Sequence, residues 1–269
     1  MKLEAVKLIY FSPTETTKKV VSAIAQGLQV SKIEHLNLTL LASKKKSVPQ
    51  MGAELAIIGM PVYAGRLPVE AVERFKPIKG NNTPAVIVVV YGNRAYDDAL
   101  LELRDLAIAA GFVPVAAGAF IGEHSFSNDD ALIAHRRPDV DDLAQATSFG
   151  EAVRTKMESV ASLDELAVLQ VPGNVPYQEI RLPKNLAPMS DELMCTRCLS
   201  CFSACPTGAI ALKGNLIVTD ASRCTLCCAC VKNCTTGART LDDERIDKIR
   251  VMLTRKFSER KQPEQFFGL

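Results

Sequence analysis

The chain has 269 residues, 48% of them hydrophobic and 23% charged, so globular folding is expected and wholesale disorder is excluded. Its net charge of +2 is too small for broad attraction to nucleic acid or anionic lipid. The longest apolar run, Ala85 to Tyr91, falls far short of a bilayer span and residues 1–11 show no cleavage signal, so a cytoplasmic protein without membrane insertion is expected.

Residues 1–160 alternate between two patterns. Ala5 to Phe11 is a short apolar run, followed by the hydroxyl-rich turn Ser12-Pro13-Thr14-Glu15-Thr16-Thr17. Val20, Ile24 and Leu28 then recur at helical spacing. Further apolar runs at 33–38, 55–60, 85–91 and 112–121 complete five expected strands. Helical stripes lie between them, as at Leu100, Leu103 and Leu106, and a last helix carries Leu143, Ala146, Phe149, Val153 and Met157. Near-continuous apolar strands alternating with amphipathic helices predict an α/β fold, a parallel sheet covered on both faces. Residues 161–190 lose all periodicity and carry Pro172, Pro176, Pro183 and Pro188, which predicts a linker lying against the first domain. Beyond residue 243, Ile246, Ile249, Leu253 and Phe257 mark a closing helix before a tail ending at 269.

All nine cysteines fall between 195 and 234. An odd count confined to one block fits metal chemistry better than a disulfide scaffold. Residues 195–212 repeat at an offset of 29, with nine of eighteen positions identical to those at 224–241, so the region 191–242 is an internal duplication. Each copy reads C-x2-C-x2-C-x3-C. Zinc sites or disulfides are the plainer readings, but zinc usually takes two CxxC pairs separated by a longer loop. Duplicated quartets instead suit four-iron clusters.

The block resembles the bacterial two-[4Fe–4S] ferredoxins, including Pro206 after Cys205, and departs from them at Thr235 and at Cys228. In such ferredoxins the fourth cysteine of each run crosses to the other cluster. The resemblance therefore implies one cluster on Cys195, Cys198, Cys201 and Cys234, and a second on Cys224, Cys227, Cys230 and Cys205, with Cys228 a spare buried thiol.

The first domain resembles a flavodoxin, a doubly wound five-stranded parallel sheet. Its loop Ser12, Thr14, Thr16 and Thr17 is similar to the flavodoxin phosphate loop, S/T-x-T-G-x-T, with Glu15 in place of the usual glycine. A simple N-cap turn would look alike. Two more loops follow the third and fourth strands: Pro61, Val62, Tyr63, Ala64 and Gly65, then Gly92, Asn93, Arg94, Tyr96 and Asp97. In doubly wound sheets ligands sit beyond the carboxyl ends of the strands at the switch point, where these loops would meet. The resemblance implies FMN there, with Tyr96 stacking on the ring, Tyr63 as the second wall and Gly65 close to the ring edge. His124 and Ser125 follow the fifth strand and could face the ring edge, an ordinary polar loop being the plainer reading, and Lys44-Lys45-Lys46 reads as a solvated turn or a dock for an acidic partner.

Together the two halves resemble the flavodoxin–ferredoxin fusion proteins of anaerobes. That resemblance implies two [4Fe–4S] clusters, FMN and an unidentified protein redox partner. The expected function is an intramolecular relay of single electrons, and no catalytic residue is expected. An FMN-dependent oxidoreductase acting on a quinone, a nitro compound or NAD(P)H is the alternative, and a redox sensor is a third. A homodimer is left open.

Overall fold

The computed structural model describes residues 3–41, 55–165 and 167–268. β1 (Ala5–Tyr10), α1 (Thr16–Leu28) and β2 (Lys32–Asn37) open the chain. β3 (Leu55–Pro61), α2 (Val69–Phe75), β4 (Pro84–Tyr91), α3 (Ala99–Ala109), β5 (Val113–Ile121) and α4 (Val140–Ser159) follow. Every residue of β3 and β4 is buried, as their uninterrupted Ile and Val content requires of strands covered on both faces. The five strands pair in parallel in the order β2-β1-β3-β4-β5, the flavodoxin-like doubly wound order, with its switch point between β1 and β3.

One core layer packs around Phe75, Leu100 and Phe112, the other around Ile24, Phe120 and Phe149. On the second face α1 and α4 cross at backbone contact. A Cβ on Gly27 would collide with the Thr147 carbonyl, and one on Gly150 with the Ile24 carbonyl, so glycine at both positions sets the crossing distance. α4 starts from a capping box in which Asp139 and Asp142 each accept the other's backbone N–H. Asp142 is also paired with the buried Arg137.

The linker lies on this domain, as expected. Asp98 accepts N–H bonds from Asn174 at 2.8 Å and Gln178 at 2.7 Å, and the Tyr177 hydroxyl donates to Asp105 at 2.6 Å. The small second domain then runs through β6 (Met189–Ser190), α5 (Ser200–Ala204), β7 (Ile210–Lys213), β8 (Leu216–Thr219), α6 (Ala229–Lys232) and β9 (Arg239–Thr240). β7 pairs with β8 and β6 with β9, both antiparallel.

α7 (Glu244–Lys256) closes the domain, and the tail extends the predicted sheet. β10 (Glu264–Phe267) pairs antiparallel with β5, making a sixth strand beside the five expected ones. The segment leading to it is pinned to the first domain. Asn93 donates to the carbonyls of Phe257 (2.7 Å) and Glu259 (2.8 Å), Lys261 to that of Arg94 (2.6 Å), and Arg260 to Asp139 (2.7 Å). Among the described residues no helix is long and apolar enough to cross a membrane.

Candidate functional site

The phosphate loop caps the end of β1. Ser12 Oγ accepts the Lys18 N–H at 3.1 Å, and its own N–H donates to Thr39 Oγ1 at 2.7 Å, which fixes the turn. Glu15 sits at φ 64, the left-handed conformation for which glycine is the usual residue. Its carboxylate turns outward to Lys18 Nζ at 2.5 Å, so it does not face the loop interior. Thr14 and Thr16 hydroxyls lie 3.5 Å apart. Thr17 is fully buried and its Oγ1 has no hydrogen-bond partner. The first N–H groups of α1 lack intrahelical partners, so an anion here would meet amides, hydroxyls and the positive helix end. Thr17 Oγ1 is then an acceptor or donor waiting for such an oxygen, and the loop fits a phosphate.

Two adjoining cavities open beyond the strand ends. A narrow chamber of ≈ 90 Å³ is lined by Thr14, Thr16, Pro61 and Tyr63, among others. A wider cleft of ≈ 590 Å³ is lined by Gly65, Arg94, Arg181 and Met252. Val62, Ala64, Gly92 and His124 border both. The hydroxyl-bearing loop thus lines the narrow end and ring-sized space lies in the wider cleft, a range typical of cofactor sites.

The three predicted loops meet, but three residues serve other purposes than expected. Tyr96 does not border either cavity. It is 8% exposed, meets Tyr91 edge-on at 5.4 Å, and its hydroxyl donates to Glu264 of the tail at 2.8 Å. The stacking position assigned to it is therefore corrected, because its ring is consumed in holding β10. Asn93 is likewise buried under the tail it binds. Asp97 is paired with Arg94. Gly65 lines the wider cleft at φ +80, and a Cβ there would collide with the Gln178 and Asp97 side chains. Lys44–Lys46 lie outside the described residues.

His124, read as an ordinary loop residue, lies in the site. Its ring packs on Gly92, where any Cβ would strike it, and edge-on against Phe126 at 5.2 Å. Burial, then Arg94 and Lys232, push its pKa down to about 4, so it is neutral. Nδ1 accepts the Phe126 N–H at 3.0 Å, which leaves the proton on Nε2. No sequence pattern marks it; only the closing of the second domain over Phe126 buries it.

The two cysteine loops share their geometry. Arg197 and Leu226, and Leu199 and Cys228, all adopt left-handed φ at positions 29 apart, so the duplication is preserved in the backbone. Cys224, Cys227 and Cys230 feel one another and Cys205, the crossing member of the set. Burial raises all three thiols, Cys227 to about 12. Holding a cation-rich cluster would therefore release protons. The first set lies nearer solvent: Cys198 is exposed, its pKa lowered by the Ser200 hydroxyl, while Cys201 is buried and raised by burial. The Ala209 N–H donates to Cys205 Sγ at 3.3 Å, and Thr207 and Thr236 hydroxyls lie at 3.5 and 3.6 Å from Cys205 and Cys234. Such contacts suit clusters whose sulfurs take N–H and O–H bonds. Among the described residues no three His, Cys, Asp or Glu side chains gather as a single metal ion would need. Cys228 starts α6 in the place of Leu199 and is buried in an apolar cluster with Phe126, Leu186, Leu226, Leu241 and Ile246.

That apolar cluster joins the domains. Lys232 adds a bond to Glu123 (2.5 Å), and Arg250 one to the Phe126 carbonyl (2.9 Å). Thr225 and Leu226, between Cys224 and Cys227, form one wall of the narrow chamber. Tyr63, which also lines this chamber, has its hydroxyl raised well above the phenolic range by burial and then by Cys227 and Cys228.

Residues 187–235 match the family of 4Fe–4S dicluster domains. No curated protein matches the chain. Similar solved structures include a flavodoxin from Archaea (14% identity, TM-score 0.37), which covers 57% of this chain and 99% of its own. A short-chain flavodoxin associated with a bacterial microcompartment shows 15% identity and a TM-score of 0.42, covering 58% and 100%. The Fusobacterium nucleatum flavodoxin bound to flavin mononucleotide shows 13% and 0.39, covering 58% and 99%.

Proposed function

We propose that this chain, a flavodoxin-like domain joined to a 4Fe–4S dicluster domain, relays single electrons between two [4Fe–4S] clusters and FMN. The carrying observation is the shared chamber, which Thr225 and Leu226 of the second cysteine loop line together with Thr14, Thr16 and Tyr63. When bound, the clusters would supply one-electron centres and FMN a centre taking one or two electrons.

The remaining tasks fall to the protein. Ser12, Thr14, Thr16 and Thr17 would hold the phosphate through hydroxyls and amides without a cation. Pro61 to Gly65, Gly92 and Arg94 would frame the ring, with Tyr63 near the second cysteine set. Leu182, Phe126 and Leu226 would limit water in the gap they line. His124, bordering the cavity with its proton on Nε2, would supply a hydrogen-bond donor there. Cys195, Cys198, Cys201 and Cys234 would hold the outer cluster, whose exposed Cys198 edge suits exchange with a protein partner in the cytoplasm. Cys224, Cys227, Cys230 and Cys205 would hold the inner one. Fixing both on one chain replaces a diffusional encounter by a permanent one.

Anaerobic isolation followed by iron, sulfide and flavin analysis tests the reading, with two clusters and one FMN per chain expected. A rapid-mixing reduction should then show electrons equilibrating between them. Colourless protein, zinc alone, or cofactors that do not exchange electrons would refute the relay. The wider cleft, with Arg94 and Arg181 at its border, favours a second reading as an FMN-dependent reductase of a small acceptor. NAD(P)H oxidation or quinone reduction faster than with free FMN would support it.

A further inference from the structure

Arg239 breaks the symmetry of the duplication at its most buried point. Twenty-nine residues earlier the first copy carries Ile210, itself 2% exposed, where the second carries a guanidinium that is also 2% exposed. Nη1 donates to Ser190 Oγ at 3.0 Å, and Nη2 to Thr219 Oγ1 at 2.8 Å and to Cys230 Sγ at 3.7 Å. Nε is buried without a partner. Among the described residues no carboxylate pairs with it.

A buried cation held only by two hydroxyls and a thiol costs several kcal/mol that nothing in the polypeptide returns. Four cysteine thiolates around a four-iron cube leave a net negative charge, and it grows by one on reduction. We propose that Arg239 is the fixed counter-charge of the cluster on Cys224, Cys227, Cys230 and Cys205, raising its potential above that of the outer cluster. This rests on the ligand sets proposed above. One electron leaves the outer cluster, which is oxidised, and reduces the inner one, with no bond made or broken. The charge favours the reduced inner state because attraction rises with the added electron, and the N–H bond to Cys230 delivers it at contact. The arrangement parks the electron at the cluster beside Tyr63 and the chamber. Among the described residues, Arg239 sends its only side-chain N–H bond to a cysteine to Cys230, a member of the inner set, so its effect on the outer cluster is smaller.

The test uses the full chain, reconstituted anaerobically, with iron, sulfide and FMN measured before an EPR-monitored redox titration. Arg239→Gln keeps N–H donors and removes the charge, whereas Arg239→Lys keeps the charge and removes the fork. The inner midpoint should drop in Arg239→Gln, narrowing its separation from the outer one, and stay near the wild-type value in Arg239→Lys. An unchanged midpoint in Arg239→Gln with both clusters present overturns the proposal. So does an equal drop in both variants, or loss of clusters from both in a chain still folded by circular dichroism. Wild-type protein lacking clusters would instead sink the relay itself, so the two failures are distinguishable.

Discussion

Replacing His124 with asparagine removes an imidazole that borders both cavities and packs on Gly92 and Phe126. Burial pushes its pKa from the ordinary 6.5 down to about 4, so between those values the unfolded chain takes up a proton that the folded one refuses. Folded stability is therefore full above pH ~6.5, declines as pH falls toward about 4, and loses nothing further from this group below that. An interval of about 2.5 pH units at about 1.4 kcal/mol each sets an upper bound of about 3.5 kcal/mol. An NMR titration of the imidazole, assigned by its disappearance in His124→Asn, measures the pKa directly. Urea midpoints at pH 7.5 and pH 5 measure the stability, and the wild-type drop between them should exceed the variant's. A His124 titrating near 6.5, or equal drops in both proteins, would refute the buried, Nε2-protonated imidazole.

Thr17→Val removes the orphan hydroxyl while keeping the methyl packing, so it should leave apoprotein stability unchanged or improved. FMN affinity, measured by fluorescence quenching, should fall about 10-fold or more, the usual worth of a hydrogen bond to a charged group. Tyr96→Phe loses the bond to Glu264 and should cost about 1 kcal/mol in urea unfolding with no change in FMN affinity; a large affinity loss would restore Tyr96 to the ring. Asn93→Ala frees two carbonyls of the tail, and limited proteolysis should then cut near residues 257–263 at protease levels that spare the wild type. Cys228→Ala should retain both clusters by iron analysis, whereas Cys227→Ala should lose one.

How much of this was legible in sequence depends on how local each signal was. Strands such as Leu55–Pro61 and Pro84–Tyr91 announce themselves because both faces are buried and nearly every residue is apolar. The cysteine spacing is local too, since a tight loop must aim three thiols at one centre. β10 was not legible: Glu264-Gln265-Phe266-Phe267 carries no period, and its pairing with β5 is decided by contacts with residues more than 140 positions earlier. That omission propagated, because Tyr96 and Asn93 look like cofactor residues until the tail is seen to claim them. Glu15 departs from the glycine of the flavodoxin loop, yet it takes the left-handed backbone that glycine favours and pairs its carboxylate with Lys18. His124 stood between the ring edge and an ordinary loop, since a loop position alone says nothing about what will pack on it.

The return of the last strand to the first sheet changes the topology of the whole arrangement. With the 161–190 segment anchored at Asp98 on one side and Glu264–Phe267 zipped to β5 on the other, the smaller domain is an insertion looped out of a single scaffold, not a pendant bead. A module held at both ends would not swing away to shuttle charge, so under the proposed relay its exchange with the cleft should be insensitive to solvent viscosity. Only the outward face, around Cys198, is left to depend on collisions.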